Sequence, residues 1–97
     1  MKLVFPRAVR EEAREAINHY ELEQPGLGER LWEEVAATVR WILANAEVAR
    51  PRAGGYRRVN LRTFPYYIAY ALRGEAVVLL AVAHAARRPE YWIDRLS

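Results

Sequence analysis

The apolar positions of this chain change their period once. From Arg7 to about Glu23, Val9, Ala13, Ala16, Ile17 and Tyr20 recur at spacings of three and four, one stripe of a helix. Glu11, Glu12, Arg14 and Glu15 take the opposite side, where Glu11–Glu15 and Arg10–Arg14 are like-charge pairs that lend the helix no support. Pro6 suits the helix entry, where a missing N–H costs nothing. Pro25-Gly26-Leu27-Gly28 is a turn signal that stops this helix. A second helix is predicted over about 29–46, with the stripe Leu31, Val35, Val39, Ile42 and Leu43 and with Ala36 and Ala46 beside it. A connection this short makes the two an antiparallel hairpin.

After a loop at 47–55, punctuated by Pro51 and Gly54-Gly55, the period falls to two. Residues 56–62 alternate, with Arg57, Val59 and Leu61 on one side and Tyr56, Arg58, Asn60 and Arg62 on the other. Residues 66–73 put Tyr66, Ile68, Tyr70 and Leu72 on one face and Tyr67, Ala69 and Ala71 on the other. Residues 76–84 are apolar on both faces, the mark of a central, buried strand. Short turns at Thr63-Phe64-Pro65 and Arg73-Gly74-Glu75 join these three as an antiparallel meander. Residues 2–5 read as one more short strand, and 85–97 as a loop closing in a helical turn after Pro89. The order is β-α-α-β-β-β with a short C-terminal helical tail: an α+β domain, with a helical hairpin packed on one face of a small antiparallel sheet. Nothing remains to cover the other face. Val59 and Leu61 belong in the core, so Arg57 must snorkel outward, and Tyr56, Arg58, Asn60 and Arg62 are expected to line the bare side.

At 97 residues the chain, 1–97, is one domain with one core. It has no Cys, so disulfides, thiolate chemistry and cysteine zinc sites are excluded; two His are too few for a His-rich metal centre, and no cofactor motif is present. No apolar run approaches a membrane span, and the N-terminus becomes charged too early for a secretory signal, so the expected compartment is the cytoplasm, with no membrane partner. Net charge is only +3, but the distribution is uneven. Residues 11–34 hold eight acids against two basic residues, whereas 50–95 hold nine Arg against three acids. A negatively charged partner belongs on the second half, where guanidinium groups suit bidentate contacts. Trp32 and Trp41 sit partly off the second helix's stripe, either capping the core rim or anchoring a partner. His84 ends the apolar strand beside Arg87 and Arg88, either as an acid or base near neutral pH or as a backbone-bonded corner residue. His19, between Glu15 and Glu23, lacks further ligands and reads as a surface residue.

Several segments together resemble one family. They are Pro25-Gly26-Leu27-Gly28 followed by Glu29-Arg30-Leu31-Trp32-Glu33-Glu34-Val35, then Gly55-Tyr56-Arg57-Arg58, then the run from Leu61 through Phe64-Pro65-Tyr66-Tyr67 to Tyr70. Last come Ala81-Val82-Ala83-His84 and Arg88-Pro89-Glu90-Tyr91-Trp92. In order and spacing they are similar to the RelE/ParE superfamily of toxins from bacterial type II toxin–antitoxin systems. The resemblance implies a helical hairpin on a small sheet and a cognate antitoxin that wraps the toxin, with operator DNA reached indirectly through that antitoxin. One branch of the family cleaves ribosome-bound mRNA; the other binds and poisons DNA gyrase. Cleavage needs a base, an acid and cations at the phosphate. By position, Arg58 and Asn60 fall where the nucleases carry sheet lysines, Tyr67 where they carry a phosphate-contacting Arg, and Ala86, beside Arg87 and Arg88, where they carry a C-terminal Arg. Tyr91 or Trp92 falls near their catalytic Tyr. One of four cations is kept, and each loss costs roughly 10²–10³ in rate. The segment from His84 to Trp92 is more like the ParE and plasmid-stabilisation members, so gyrase binding is the leading expectation. The alternatives are an mRNA interferase using Arg58, Arg62, His84, Arg87, Arg88 and Tyr91, and a non-toxic interaction protein descended from the family. Candidate partner contacts are Trp32, Trp41, Tyr56, Arg58, Asn60, Arg62, Tyr67 and Trp92.

Overall fold

The computed structural model describes residues 1–96. The order is β1 (Lys2–Val4), α1 (Arg7–Glu23), α2 (Leu27–Ala44), β2 (Arg57–Asn60), β3 (Tyr66–Arg73), β4 (Ala76–His84) and a closing 3₁₀ turn (Ile93–Leu96). This is the expected α+β succession, and the periodicity places α1, β3 and β4 at their observed bounds.

α2 begins two residues before the apolar stripe suggests. Its N-terminus is capped from α1: the Glu21 carboxylate accepts hydrogen bonds from the Gly26 N–H (2.8 Å) and the Gly28 N–H (3.0 Å). No local cap exists, because Gly26 has no side chain and takes φ 89° to turn the chain. The helices then cross so closely at Gly28 that a Cβ there would lie 2.4 Å from the Ile17 carbonyl oxygen. α2 ends at Ala44, where the Asn45 Nδ2 donates back to the Trp41 carbonyl (3.0 Å).

The sheet order is β1-β4-β3-β2. The β2-β3-β4 meander is antiparallel, but β1 pairs parallel with β4, Lys2 opposite Ala76 and Val4 opposite Val78. The sheet is therefore mixed, which corrects the expectation of an all-antiparallel sheet; the hairpin returns the chain to the far edge, so β1 cannot pair with β2. β2 is shorter than the alternation of 56–62 implies. Its end at Asn60 follows from the turn at 61–65, where the Leu61 N–H bonds the Tyr66 carbonyl at 2.9 Å.

The hairpin covers one face. Val9, Ala13 and Ala16 of α1 and Leu31, Val35, Val39 and Ile42 of α2 pack on Ile68, Tyr70, Val77, Leu79 and Val82. Between Ala69 and Tyr70 the register slips, so Ala69 faces Ala81 while Tyr70 faces Leu79, leaving Leu80 as the extra residue of a bulge. As a result both Leu80 and Ala81 face away from the helices.

That second face is not bare. Tyr56, Tyr67, Ala69, Ala71, Leu80, Ala81 and Ala83 form a second buried cluster around Trp92, with Tyr91, Ile93 and Leu96 packed against it. The C-terminal segment folds back as a third layer. The cause is compositional: the alanines leave a low surface, and a strand apolar on both sides needs cover on both sides.

Candidate functional site

The row Tyr56, Arg58, Asn60 and Arg62, expected on the bare side, is divided by the structure. Tyr56 is 3% exposed; its ring meets the Trp92 indole edge-on at 4.7 Å, and its hydroxyl donates to the Glu90 carboxylate. Glu90 adopts φ 56°, a left-handed conformation costly for a side-chain-bearing residue, and the Tyr56 bond helps hold it there. Trp92, 1% exposed, donates its Nε1–H to the Tyr67 hydroxyl at 2.9 Å, and Tyr67 is 4% exposed. Tyr56, Tyr67 and Trp92 therefore belong to the core and not to the exposed contact set. Burial first, then the Glu90 carboxylate, raises the Tyr56 hydroxyl above the ordinary tyrosine range.

Arg58 stays at the rim of this face. Its guanidinium lies 3.7 Å over the Tyr67 ring and donates to Asn60 Oδ1 at 3.0 Å. Arg57 points to the helix side and, where it was expected to reach for solvent, donates instead to the carbonyls of Glu47 (2.8 Å) and Ala49 (2.9 Å), pinning the loop before β2. Arg62 lies past the end of β2 and turns toward α2.

There it lines a groove of about 400 Å³ with Trp41, Ala37, Thr38, Val59 and Asn60. Two features leave this groove open to contact. β2 pairs only with β3, so its outer edge carries unpaired backbone groups. Trp41 stands 42% exposed beside them. Trp32 is equally exposed (43%), but nine residues along a helix is two and a half turns. The two indoles face opposite sides of α2 and do not form one surface. Glu34 closes the groove: its Oε1 accepts the Thr63 N–H at 2.8 Å. Burial pushes its carboxyl up, but the hydrogen bonds from Thr63, Arg62 and Phe64 outweigh this and hold it below the usual carboxylate range.

The third surface is a cleft of about 230 Å³ between α1 and the end of β4, with Glu15, His19, Tyr66, His84, Arg87 and Tyr91 on its walls. His84 is a corner residue here. Its Nδ1 accepts the Ala86 N–H at 2.9 Å, so a neutral ring carries its proton on Nε2, and the ring packs on Tyr66 at 5.0 Å. The tail is locked at the back of this cleft by Glu12, a residue that sequence periodicity places on the solvated side of α1. Its carboxylate accepts the Val82 N–H (3.1 Å), the Arg95 guanidinium (3.1 Å) and the Tyr91 hydroxyl (2.5 Å), and its side chain is 13% exposed. Arg95 also donates to the Leu80 carbonyl at 2.9 Å. β1 pairs with β4 only as far as Val78, so Glu12 and Arg95 satisfy the strand edge beyond it. Glu12 and Tyr91 are 79 residues apart, and no local signal in the chain announces the pairing.

Tyr91 lies between two cations, Arg87 at 3.7 Å and Arg95 at 5.7 Å from its ring centre. Burial, followed by the Glu12 carboxylate, nevertheless pushes its hydroxyl far above the ordinary tyrosine range, against the pull of both arginines. It remains protonated at neutral pH and cannot serve as a general base there. The nuclease candidates are thus dispersed: His84, Arg87 and Tyr91 share the α1–β4 cleft, Arg62 lines the α2–β2 groove, and Arg58 stacks on Tyr67 at the sheet rim. Arg88 is exposed on the loop after β4. Among the described residues no three or more His, Asp or Glu are grouped to hold a metal, and no helix is long and apolar enough to cross a membrane.

A helix hairpin on a small mixed sheet is the fold that the resemblance to the RelE/ParE toxin superfamily implies. The comparisons agree: residues 3–89 match the family model described as ParE toxin of type II toxin-antitoxin system, parDE. The chain belongs to that family. It is 33% identical over 89 residues to Toxin ParE2 of two Mycobacterium tuberculosis strains, CDC 1551 / Oshkosh and ATCC 25618 / H37Rv, covering 91% of this chain and 85% of theirs. Its fold matches a solved chain from the chromosomal ParDE TA system of P. aeruginosa with a TM-score of 0.76 at 19% identity, over 87% of this chain and 95% of that one.

Proposed function

We propose that this chain is the toxin of a type II pair, neutralised by a cognate antitoxin, and that when free it acts in the cytoplasm by binding DNA gyrase and not by cutting RNA. The observation that carries the reading is the dispersal of the candidate catalytic groups. Phosphodiester cleavage needs base, acid and cations within about 3 Å of one phosphate. Here the Tyr91 hydroxyl is tied to the Glu12 carboxylate, and Arg58 and Arg62 line other surfaces. The antitoxin reading is supported by the family, by the P. aeruginosa relative's description as a ParDE system, and by the α2–β2 groove, where an extended segment finds a free strand edge, an exposed indole and Arg62.

The test is a supercoiling assay with purified gyrase. Inhibition at micromolar toxin, relieved by the antitoxin encoded beside it, supports the reading; full supercoiling activity removes gyrase as the target. One observation favours the mRNA interferase as a second reading, namely the grouping of His84, Arg87 and Tyr91 in one cleft. Ribosome-programmed mRNA cleavage that is lost in Arg87→Ala would establish it. If both assays are blank and induced expression leaves growth normal, the non-toxic reading stands.

A further inference from the structure

The first two turns of α1 carry an arrangement of charge that works against the helix. Arg7, Arg10 and Arg14 follow one another at i, i+3 and i+7 along one exposed stripe and, with Glu11, line a shallow groove of about 230 Å³. No acidic residue occupies the first turn and Pro6, at the N-cap, offers no side-chain cap, so Arg7 and Arg10 sit at the positive end of the helix dipole. Arg10 and Arg14 also repel each other at i, i+4. Compensation is slight. Arg7 pairs with Glu11 at 3.0 Å, with both side chains mostly exposed, and among the described residues Arg10 and Arg14 have no carboxylate partner. α2 has the opposite arrangement, with Glu29 in its first turn and the Glu21 carboxylate as its cap. A row that is unfavourable for the fold in two ways, offset among the described residues only by the exposed Arg7–Glu11 pair, fits an external anion.

We infer that Arg7, Arg10 and Arg14 form a contact row for the phosphodiester backbone of duplex nucleic acid. The row spans about 10 Å of helix axis, and a duplex strand presents a phosphate roughly every 3.4 Å along its own axis, so three guanidiniums meet about three phosphates. The stripe contains arginine and one glutamate and no apolar residue, which separates it from the α2–β2 groove with its indole. An acidic protein segment would bring apolar side chains that this row gives nothing to hold. Guanidinium forks match phosphate oxygens bidentately. The inference is independent of the gyrase reading, since it concerns another surface and another ligand.

The test measures binding of the full-length chain to a labelled 24-base-pair duplex of arbitrary sequence by fluorescence anisotropy, between 50 and 200 mM salt. The wild type is expected to bind with a steep salt dependence. Arg7→Gln, Arg10→Gln and Arg14→Gln together should flatten the slope of log K against log salt by about 2–3, since each phosphate contact contributes about 0.9. The matched control, Arg50→Gln, Arg52→Gln and Arg88→Gln, should keep the wild-type slope. The row variant should melt no lower than wild type, because its removal relieves repulsion. The inference is overturned if the wild type does not bind at 50 mM salt, if the control flattens the slope as much as the row variant does, or if the row variant melts ten degrees lower. Tighter binding to an acidic peptide than to the duplex also overturns it, by assigning the row to a protein partner.

Discussion

Truncating Trp92 tests whether the C-terminal segment is part of the core. In the structure Trp92 is 1% exposed, packs edge-on against Tyr56 and Tyr67, and donates to the Tyr67 hydroxyl. A fully buried Trp side chain carries up to about 250 Å², which at about 25 cal/mol per Å² sets an upper bound near 6 kcal/mol. Measured truncations of buried aromatics to Ala fall at about 3–5 kcal/mol. A domain of 97 residues unfolds with an entropy near 0.2 kcal/mol/K, so a loss of about 4 kcal/mol lowers Tm by about 20 °C. Trp92→Phe keeps most of the volume and loses the indole donor, for about 1–2 kcal/mol. Trp32→Ala and Trp41→Ala, at half-exposed indoles, should each cost about 1 kcal/mol or less. The assay is thermal unfolding followed by circular dichroism at 222 nm. The reasoning fails if Trp92→Ala melts within a few degrees of wild type, or no lower than Trp41→Ala. Either result would mean that the second sheet face is stable without the tail and stands open.

Three further outcomes are expected. Gly28→Ala gains helix propensity of about 1 kcal/mol, but its Cβ meets the Ile17 carbonyl, which belongs to backbone and moves only with the helix; net destabilisation of about 1–2 kcal/mol should appear in urea midpoints, and a stabilised variant would refute the close crossing. Glu34 has a depressed pKa, so its hydrogen bonds to the 62–64 turn support the fold above the ordinary carboxylate pKa and are lost as pH falls through the depressed value. Glu34→Gln should therefore be less stable than wild type at pH 7 and lose less stability between pH 5 and 3, as read by urea unfolding at each pH. Glu12→Ala removes the acceptor for the Val82 N–H, the Tyr91 hydroxyl and Arg95, and should cost about 2–3 kcal/mol. Hydrogen exchange at the Val82 amide should accelerate with it, and unchanged protection would show that the strand edge does not depend on Glu12.

The hairpin and the meander were legible because their signals are local. A stripe at three and four, a Pro-Gly turn and an alternation of two can each be read within a dozen residues, and they place Arg7–Glu23, Tyr66–Arg73 and Ala76–His84 at their observed bounds. The same alternation sorts Tyr66, Ile68 and Tyr70 from Tyr67, Ala69 and Ala71, the two sides that the structure buries in separate clusters. The sequence also carried the clue to the third layer. Residues 76–84 are apolar on both sides and the second side of β3 is rich in alanine, a surface that water does not favour. The expectation that nothing remained to cover it missed this need, which the Tyr91-Trp92-Ile93 segment meets.

What the chain alone determined is the set and order of its elements and its membership of a toxin family, since these rest on short-range periodicity and on motifs kept in order. Only tertiary structure decided which residues are available for contact. Tyr56, Tyr67 and Trp92 moved from surface to core, and Glu12 from a solvated helix face to the acceptor that holds the tail. Trp32 and Trp41 parted to opposite sides of α2. Exposure depends on what packs from far along the chain, here Glu12 against a tyrosine 79 residues away, and no pattern of neighbours encodes that distance.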